Sequence, residues 1–406
     1  MKNVFLILMS ALVLVNCSSD KKKFVDENYA FAELQTMGML QTVTDVTLYP
    51  RTTAKDGTLK STNMYDWTSG FFAGNLWYLY EYTSDQKWKD QAIRWTESLE
   101  ELKFFTDHHD LGFMMYCSYG NAYKLTGNTA YRDILIRSAE SLCTRFDSIT
   151  GSIKSWNYRV SWDGKSEWFY PVIIDNMMNL ELLMFAYKAT GNKRFKDIAV
   201  KHSETTMANQ FRNDFSTYHV VNYDTITGVA LNKATMQGYT DASTWARGQA
   251  WAIYGFTMMY RETKDTRYLE TAIKATDFYL NHPNLPEDLI PYWDFNVVDS
   301  GFRPDWNASR HPNLQFRDAS AAAITASALF ELSEYSADKK DRYLKAAVKM
   351  LKSLSNKYRA EPGNNNNFIL KHCVGSFPHN EEIDVPLVYA DYYFLEALLR
   401  YKNTTL

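Results

Sequence analysis

The sequence predicts an all-α fold in which twelve helices form six hairpins, the arrangement of an (α/α)6 barrel. Three observations support this prediction: a recurring helix–turn–helix junction, an alternation of apolar and charged helices, and a lack of strand-like segments. A (β/α)8 barrel would need eight runs of β-branched residues, which the sequence does not contain. The chain has 406 residues, 46% of them hydrophobic, and no Pro-, Gly- or Ser-rich linker divides it. We therefore expect a single folded domain with a large core.

The recurring junction joins an apolar helix to a charged one. Each copy ends the first helix at a Thr or Ser, passes through a short turn, and opens the next helix with a polar residue. Four copies occupy residues 79–90, 122–133, 186–197 and 259–270, and a looser copy occupies 332–344. Five junctions account for ten helices. An opening helix over 28–41 and a closing helix over 386–402 bring the count to twelve.

The even-numbered helices of this series are the more apolar. A helix that is hydrophobic nearly all round belongs inside a protein, so we expect these six to form the inner ring. The odd-numbered helices, such as 87–102 and 130–145, carry a charged face and belong outside. The predicted inner helices cover 70–82, 113–125, 174–190, 245–262, 319–335 and 386–402.

The amino terminus resembles a bacterial lipoprotein signal. Met1-Lys2 precedes an apolar run that is too short to span a membrane, and Leu14-Val15-Asn16-Cys17 resembles a lipobox, although Asn16 is larger than the usual Gly or Ala. We expect residues 1–17 to be the signal, Cys17 the lipid attachment site, 18–27 a tether and 28–406 the folded domain. The alternative is an ordinary secretory signal that is cleaved nearby. The lipid-anchored form predicts a periplasmic protein of the bacterial cell envelope that meets the membrane only through its lipid.

The charge and cysteine content exclude some classes of function. The 44 basic and 47 acidic residues are interspersed and give a net charge of −3, so no nucleic-acid partner is expected. Cys117, Cys143 and Cys373 lack metal-ligand spacing and predict free thiols more than a disulfide framework. Aromatic residues make up 15% of the chain, and those in polar loops could stack against sugars.

Polar and aromatic residues recur where the predicted inner helices begin. If these helices run parallel, their first residues meet at one end of the barrel. Helix capping explains some of the acids in this layer, but it does not explain the tryptophans and arginines beside them. The layer comprises Asp66, Trp67, His108, His109, Asp110, Asp175, Asn176, Trp245, Arg247, Gln249, Trp251, Arg317, Asp318, Glu381, Glu382 and Asp384.

Asp175 is the candidate general acid. It has apolar neighbours in the sequence, so burial should raise its pKa, and a second carboxylate such as Asp110 should raise it further. A carboxylic acid that stays protonated near neutral pH can donate a proton in catalysis. The histidines beside Asp110 allow a metal site as an alternative, but no second ligand cluster accompanies them.

Four segments resemble the unsaturated glucuronyl hydrolases, glycoside hydrolase family 88. They are residues 108–113, 173–180, 218–224 and 238–251, and their order and spacing match this family across nearly the whole mature chain. The related unsaturated rhamnogalacturonyl hydrolases of family 105 typically have Arg-Gly-Asn-Gly-Trp where this chain has Arg247-Gly-Gln-Ala-Trp251. Family 105 is therefore the alternative. A more remote one is an (α/α)6 sugar epimerase, which would be expected to use histidines where this chain has mostly aspartates.

The resemblance to family 88 implies a reaction and a set of site residues. The implied substrate is an oligosaccharide released by a polysaccharide lyase, which ends in a 4,5-unsaturated uronic acid, and no metal or cofactor is implied. The implied catalytic residues are Asp175 as general acid and base and Asp110 as its supporting carboxylate. The implied substrate contacts are Trp67 by stacking, His219, Gln237, Arg247 and Trp251.

Some features of the site stay open at this stage. The Arg247 guanidinium suits bidentate binding of the uronate carboxylate, but a structural ion pair is the alternative. A core histidine is the alternative role for His219. The sequence does not decide between Trp156 and Trp162 as a lining residue. Residues 361–385 are expected to border the leaving sugar, whose identity and sulfation are not predicted, and the oligomeric state is open.

Overall fold

A computed structural model describes the backbone of residues 2–405 and the side chains of residues 20–405. Within this part of the chain, the fold is the predicted barrel of twelve α-helices. The second inner helix begins as a π-helical segment, Gly112–Gly120, that continues into α4. The helices are α1 Lys2–Thr42, α2 Ser69–Thr83, α3 Gln86–Glu97, α4 Asn121–Thr126, α5 Thr129–Cys143, α6 Asn176–Thr190, α7 Lys193–Asn209, α8 Ala246–Thr263, α9 Thr266–Asn281, α10 Ala319–Tyr335, α11 Lys340–Ser353 and α12 Val388–Asn403.

The even-numbered helices form a closed inner ring, as predicted. Each contacts the next, and α12 returns to contact α2, while each odd-numbered helix packs outside. Burial follows the same division. In α8 every residue of Ala246–Met259 is buried, whereas α3 buries only Trp88, Ala92, Trp95 and Thr96. The all-round hydrophobicity of the inner helices therefore determines which ring they join.

The hairpin turns repeat one hydrogen-bond pattern in four copies. In the α6–α7 turn, Gly191 is left-handed, and the Asn192 side chain accepts from the Arg194 N–H. The Thr190 hydroxyl donates to Ala186 O and accepts from the Asn192 N–H. The other three turns place the same bonds around Ser84, Gly127 and Lys264. These caps satisfy backbone groups at both helix ends.

Short antiparallel strands lie in the connections that lead into the inner helices. They therefore lie at the end of the barrel where the inner helices begin. One sheet has three strands in the order β7-β8-β9, and the others are two-stranded. The strands are β1 Tyr49–Thr53, β2 Leu59–Thr62, β3 Phe146–Asp147, β4 Ser152–Ile153, β5 Arg159–Val160, β6 Glu167–Trp168, β7 Pro171–Ile173, β8 Val220–Tyr223, β9 Ala230–Ala234, β10 Cys373–Ser376 and β11 Glu381–Val385.

The amino-terminal region differs in part from the prediction. Residues 20–27, assigned above to a tether, lie in α1, because Val25 is buried and the Phe24 ring packs against Tyr401. The side chain of Cys17, the predicted lipid site, lies outside the described residues. No helix in the described part of the chain is long and apolar enough to cross a membrane. The other three cysteines are buried free thiols.

Candidate active site

Asp175 lies between the three-stranded sheet and the start of α6. β7 ends at Ile173, and the Ile174 N–H donates to His219 O at 3.0 Å, which fixes Asp175 beside His219. The Asp175 side chain is 9% exposed and makes no capping bond to α6. Its Oδ2 has no hydrogen-bond partner among the described residues. A buried carboxyl oxygen in this state is available to a ligand.

The surroundings of Asp175 raise its pKa toward neutral pH. Burial raises its pKa to about 7, the Arg247 guanidinium opposes this increase, and the charge of Asp110 adds to it. The structure thus brings Asp110 and Asp175 together although they are 65 positions apart in the sequence. An acid with a pKa near 7 can both donate and recover a proton at physiological pH.

The Asp110 carboxylate lies beside two histidines. Its oxygens lie 3.0 Å from His108 Nδ1 and 3.3 Å from His109 Nε2. Burial raises the pKa of Asp110, but His109, His108 and Asn179 outweigh this effect, so the pKa lies below its ordinary value. Burial lowers the pKa of His109 to about 4. Asp110 is therefore ionised at neutral pH while Asp175 is partly protonated, and such a separation is expected of two carboxyls with different roles.

A close helix contact sets the position of Asp110. Gly112 opens the π-helical segment against α6, and a Cβ at Gly112 would overlap the Cα of Asn179. The Phe113 N–H donates to Asn179 Oδ1 at 3.0 Å. Any larger residue at position 112 would push Asp110 away from the helix that follows Asp175.

His219 presents a defined proton to the site. Its Nδ1 accepts from the backbone N–H groups of Met236 at 3.1 Å and Gln237 at 3.3 Å. Burial lowers the pKa of His219 well below its ordinary value, so the ring is neutral and the proton resides on Nε2. That Nε2 is buried and has no partner in the described part of the chain. The core residue His202 has the same pattern of a bonded Nδ1 and an unpartnered Nε2, so it is the position beside Asp175 that makes His219 a candidate for ligand binding.

The Arg247 guanidinium is largely engaged by the protein itself. Nη1 lies 3.2 Å from Asp318 Oδ2 and also donates to Val374 O, while Nη2 donates to Gly375 O at 2.6 Å. The terminal nitrogens therefore hold the β10 strand and Asp318, so the structural ion pair left open by the sequence is present and only part of the guanidinium could also bind a substrate. The buried Nε has no described partner. Of the five N–H groups of a guanidinium, one on Nε and one on Nη2 remain for a substrate carboxylate.

Gln237 and the two predicted tryptophans lie around this centre in different ways. The Gln237 side chain is partly buried and donates to Gly375 O at 3.2 Å, so it also holds β10. Trp67 is partly exposed, and its ring centre is 5.4 Å from that of Phe113. Trp251 has no exposed surface and packs beneath Phe113, 5.1 Å between ring centres. Trp251 therefore supports the wall of the site, and because its buried Nε1 has no partner among the described residues, its contact with substrate stays a prediction.

Trp156 and Trp162, between which the sequence does not decide, both lie at the site. Trp156 meets the His219 ring edge-on at 6.0 Å, and Trp162 donates from Nε1 to Met236 O at 3.2 Å. Sequence reasoning missed the role of Tyr389, whose ring lies 4.8 Å from Trp67 and 5.3 Å from the Arg247 guanidinium. Tyr389 lies in the first turn of an inner helix, and this position in the sequence could have indicated that it belongs to the site. The described residues contain no group of three or more His, Cys, Asp or Glu that could hold a metal ion.

The chain is similar in sequence and fold to known glycoside hydrolases. Residues 39–403 match Glycosyl Hydrolase Family 88. The chain is 43% identical to the unsaturated glucuronyl hydrolase of Formosa agariphila, covering 100% of this chain and 99% of that protein. It is 34% identical to the unsaturated chondroitin disaccharide hydrolase of Streptococcus agalactiae, covering 87% and 85%. A solved structure of an unsaturated glucuronyl hydrolase specific for heparin is 45% identical, with a TM-score of 0.86, covering 93% of this chain and 97% of that one.

Proposed function

The chain belongs to glycosyl hydrolase family 88, and we propose that it removes a terminal 4,5-unsaturated uronic acid from lyase-generated oligosaccharides of the glycosaminoglycan type. The observation that carries this proposal is the buried, unpartnered carboxyl of Asp175, whose pKa is raised to about 7, near Asp110, whose pKa is lowered. The similarity to enzymes that act on unsaturated glucuronyl and chondroitin substrates supports the substrate class.

The proposed reaction is a hydration of the C4=C5 bond. This bond and the ring oxygen form a vinyl ether, so a proton added at C4 leaves an oxocarbenium-like ion at C5. Asp175 donates that proton. Its carboxylate then takes a proton from the water that attacks C5, which restores the acid. The resulting hemiketal opens to a 5-keto uronate and releases the neighbouring sugar. Ionised Asp110 lies close enough to stabilise the positive charge that develops.

The remaining groups suit recognition of the uronate. The Nε2 proton of His219 would donate to a hydroxyl or to the attacking water. The free N–H groups on Nε and Nη2 of Arg247 lie on one edge of the guanidinium, which can bind a carboxylate through two bonds. Partly exposed Trp67 would stack against the sugar ring. Gln237 acts by fixing β10 at the edge of the site.

The leaving sugar is proposed to lie toward a groove between the β1–β2 and β10–β11 hairpins. The groove has a volume of about 690 Å³ and includes Lys55, Lys60, His379 and Glu381. Of the residues expected in this region, His379 borders the groove, whereas His372 pairs with Asp384 at 2.7 Å. Arg51 ties the two hairpins together through Glu382 at 2.5 Å. This mixture of charges favours a polar leaving sugar.

We also propose that Cys17 carries a lipid and that the enzyme is a periplasmic protein of the bacterial envelope. The support is the lipobox-like segment that ends at Cys17. Labelled palmitate should be incorporated into the wild-type chain in cells and not into Cys17→Ser. Equal labelling of both chains would reject this site.

The reaction class is tested in heavy water with an unsaturated disaccharide. Hydration predicts one deuterium at C4 of the uronate product and loss of the ultraviolet absorbance of the double bond in step with sugar release. A product sample incubated in heavy water without enzyme controls for later exchange. A saturated glucuronide should be inert. Efficient cleavage of the saturated compound, or the absence of label at C4, would contradict the mechanism, and Asp110 would then be the candidate base or nucleophile of an ordinary glycosidase.

A further inference from the structure

A lysine-rich groove runs along the outer wall of the barrel, away from the active site. It has a volume of about 690 Å³ and a partly apolar floor formed by Leu344, Val348 and Tyr401. Its rim carries a single acid, Asp341. We refer to it as the lysine groove, and its five lysines are Lys340, Lys345, Lys349, Lys352 and Lys357.

The charge of this groove is unusual for the molecule. Helix α11 carries five basic residues and one acidic residue. The other outer helices are more balanced. Helix α3 has three basic and two acidic residues, α5 has two of each, α7 has four basic and two acidic, and α9 has two of each. The whole chain has a net charge of −3, so an even distribution would give this face no positive charge. The basic face is therefore local to α11.

The lysines are also free to meet a partner. None of the five forms an ion pair or a hydrogen bond with a described residue, whereas the neighbouring Lys339 is paired with Asp277 at 2.6 Å. Lys345, Lys349 and Lys352 are exposed and have the i, i+4, i+7 spacing that places them on one side of α11. Exposed lysines kept apart from acids repel one another unless an anionic surface neutralises them.

The groove lies next to the amino-terminal end of the domain. Lys21 donates to Thr404 O, and its ammonium lies 5.2 Å from the Tyr401 ring, which forms part of the groove floor. Only four positions separate Lys21 from Cys17. Even a fully extended chain spans about 14 Å over four residues, so a lipid on Cys17 would hold the groove against the membrane surface.

We propose that the lysine groove docks on the anionic phospholipid headgroups of the membrane to which the chain is anchored. The proposal goes beyond the hydrolytic function and uses lipid attachment at Cys17 only for its position. A basic surface held beside a membrane by an anchor is attracted to anionic headgroups. The groove includes Tyr401 and Thr405 at the end of α12, while the active site is at the start of that helix. Docking therefore leaves the active site open to oligosaccharide.

The test uses vesicle co-sedimentation of the chain from residue 18, which keeps every side-chain contact that the structure describes. Its turnover of an unsaturated disaccharide confirms that it is folded. It should bind vesicles that contain phosphatidylglycerol, dissociate from them in high salt and not bind vesicles of pure phosphatidylcholine. A lysine near an anionic membrane contributes about fivefold to partitioning. The triple variant Lys345→Gln/Lys349→Gln/Lys352→Gln should then lose about 100-fold in vesicle binding while turnover is unchanged.

The matched control changes the same number of charges on helix α7, as Lys193→Gln/Lys196→Gln/Lys201→Gln. It should keep vesicle binding within a few-fold of the wild type. Equal binding by the wild type and the α11 variant would overturn the proposal, as would an equal loss in both triple variants. If the α11 variant loses binding to immobilised heparin but not to vesicles, the partner is a sulfated polysaccharide and the membrane proposal is also wrong. None of these outcomes depends on lipidation of Cys17 or on the identity of the substrate.

Discussion

Replacing Asp175 with Asn should have opposite effects on activity and on stability. The amide has nearly the same shape as the carboxyl, but it cannot donate an acid proton or accept one back. Turnover should therefore fall by about 10²–10⁴-fold, the usual contribution of a general acid–base group. Because Asp175 makes no capping bond, the substitution breaks no hydrogen bond to the start of α6.

The stability effect follows from the raised pKa of Asp175. Burial raises this pKa from 3.8 to about 7. The stabilising contribution of the protonated acid is complete below pH 3.8 and is lost as the pH rises through 7. Three pKa units correspond to about 4 kcal/mol, an upper bound on this loss. The amide of Asp175→Asn does not titrate and has no such loss, so the variant should unfold less readily than the wild type at pH 8, by about 1 kcal/mol or more.

The assay combines turnover with denaturant unfolding at pH 5 and pH 8. The control is Asp391→Asn, because burial also raises the pKa of Asp391 to about 7. Asp391 accepts from the N–H groups of Ile369 at 2.9 Å and Leu370 at 2.8 Å, and it lies outside the catalytic centre. Turnover per folded molecule should survive in this control. Near-normal turnover of Asp175→Asn would remove the residue from catalysis. A loss of stability that is larger at pH 8 than at pH 5 would show that Asp175 is not held protonated.

Three further substitutions test the neighbours of Asp175. Asp110→Asn removes a charge that raises the pKa of Asp175, so kcat should fall and the alkaline limb of the pH–rate profile should move to lower pH; an unchanged limb would contradict the coupling. His219→Leu removes the Nε2 donor and should lower kcat/KM by about 10-fold or more, while His219→Gln should recover part of it; equal loss in both would indicate a packing role. Arg247→Lys keeps the charge but loses the fork that holds Asp318 and the β10 carbonyls together, so it should raise KM and reduce the free energy of unfolding by about 1–2 kcal/mol; a raised KM with normal stability in a denaturant titration would indicate that Arg247 serves substrate binding alone.

The barrel could be predicted because its signals are local. The Thr–turn–Asp/Asn junction consists of consecutive residues. Its capping hydrogen bonds join residues two or four positions apart, such as Asn192 with Arg194. The start of α1 was missed because Phe24 and Val25 alone do not make a periodic pattern. The strands were missed because each is only two to five residues long and is stabilised by tertiary contacts rather than by its own sequence.

The site was predicted as a set of residues but not as a set of bonds. Arg247 was identified, but its partners Asp318 and Gly375 lie 71 and 128 positions away, and no local pattern encodes such a pairing. The same limit applies to Trp251, because its residue type does not show that it packs under Phe113 with no exposed surface. Residue type indicates which chemistry is available, and long-range packing decides which atoms remain free to perform it.

Asp175 and Asp318 show how packing decides between two roles for one residue type at one helix position. Both precede an inner helix, where an aspartate ordinarily caps the first turn and the helix dipole favours its ionised form. Asp318 does so: its Oδ1 accepts from the Ser320 N–H at 3.0 Å, and its Oδ2 pairs with Arg247. Asp175 has helical backbone angles and makes no capping bond, so burial dominates and raises its pKa. Asp175, which makes no capping bond, is therefore the aspartate whose raised pKa allows it to donate a proton.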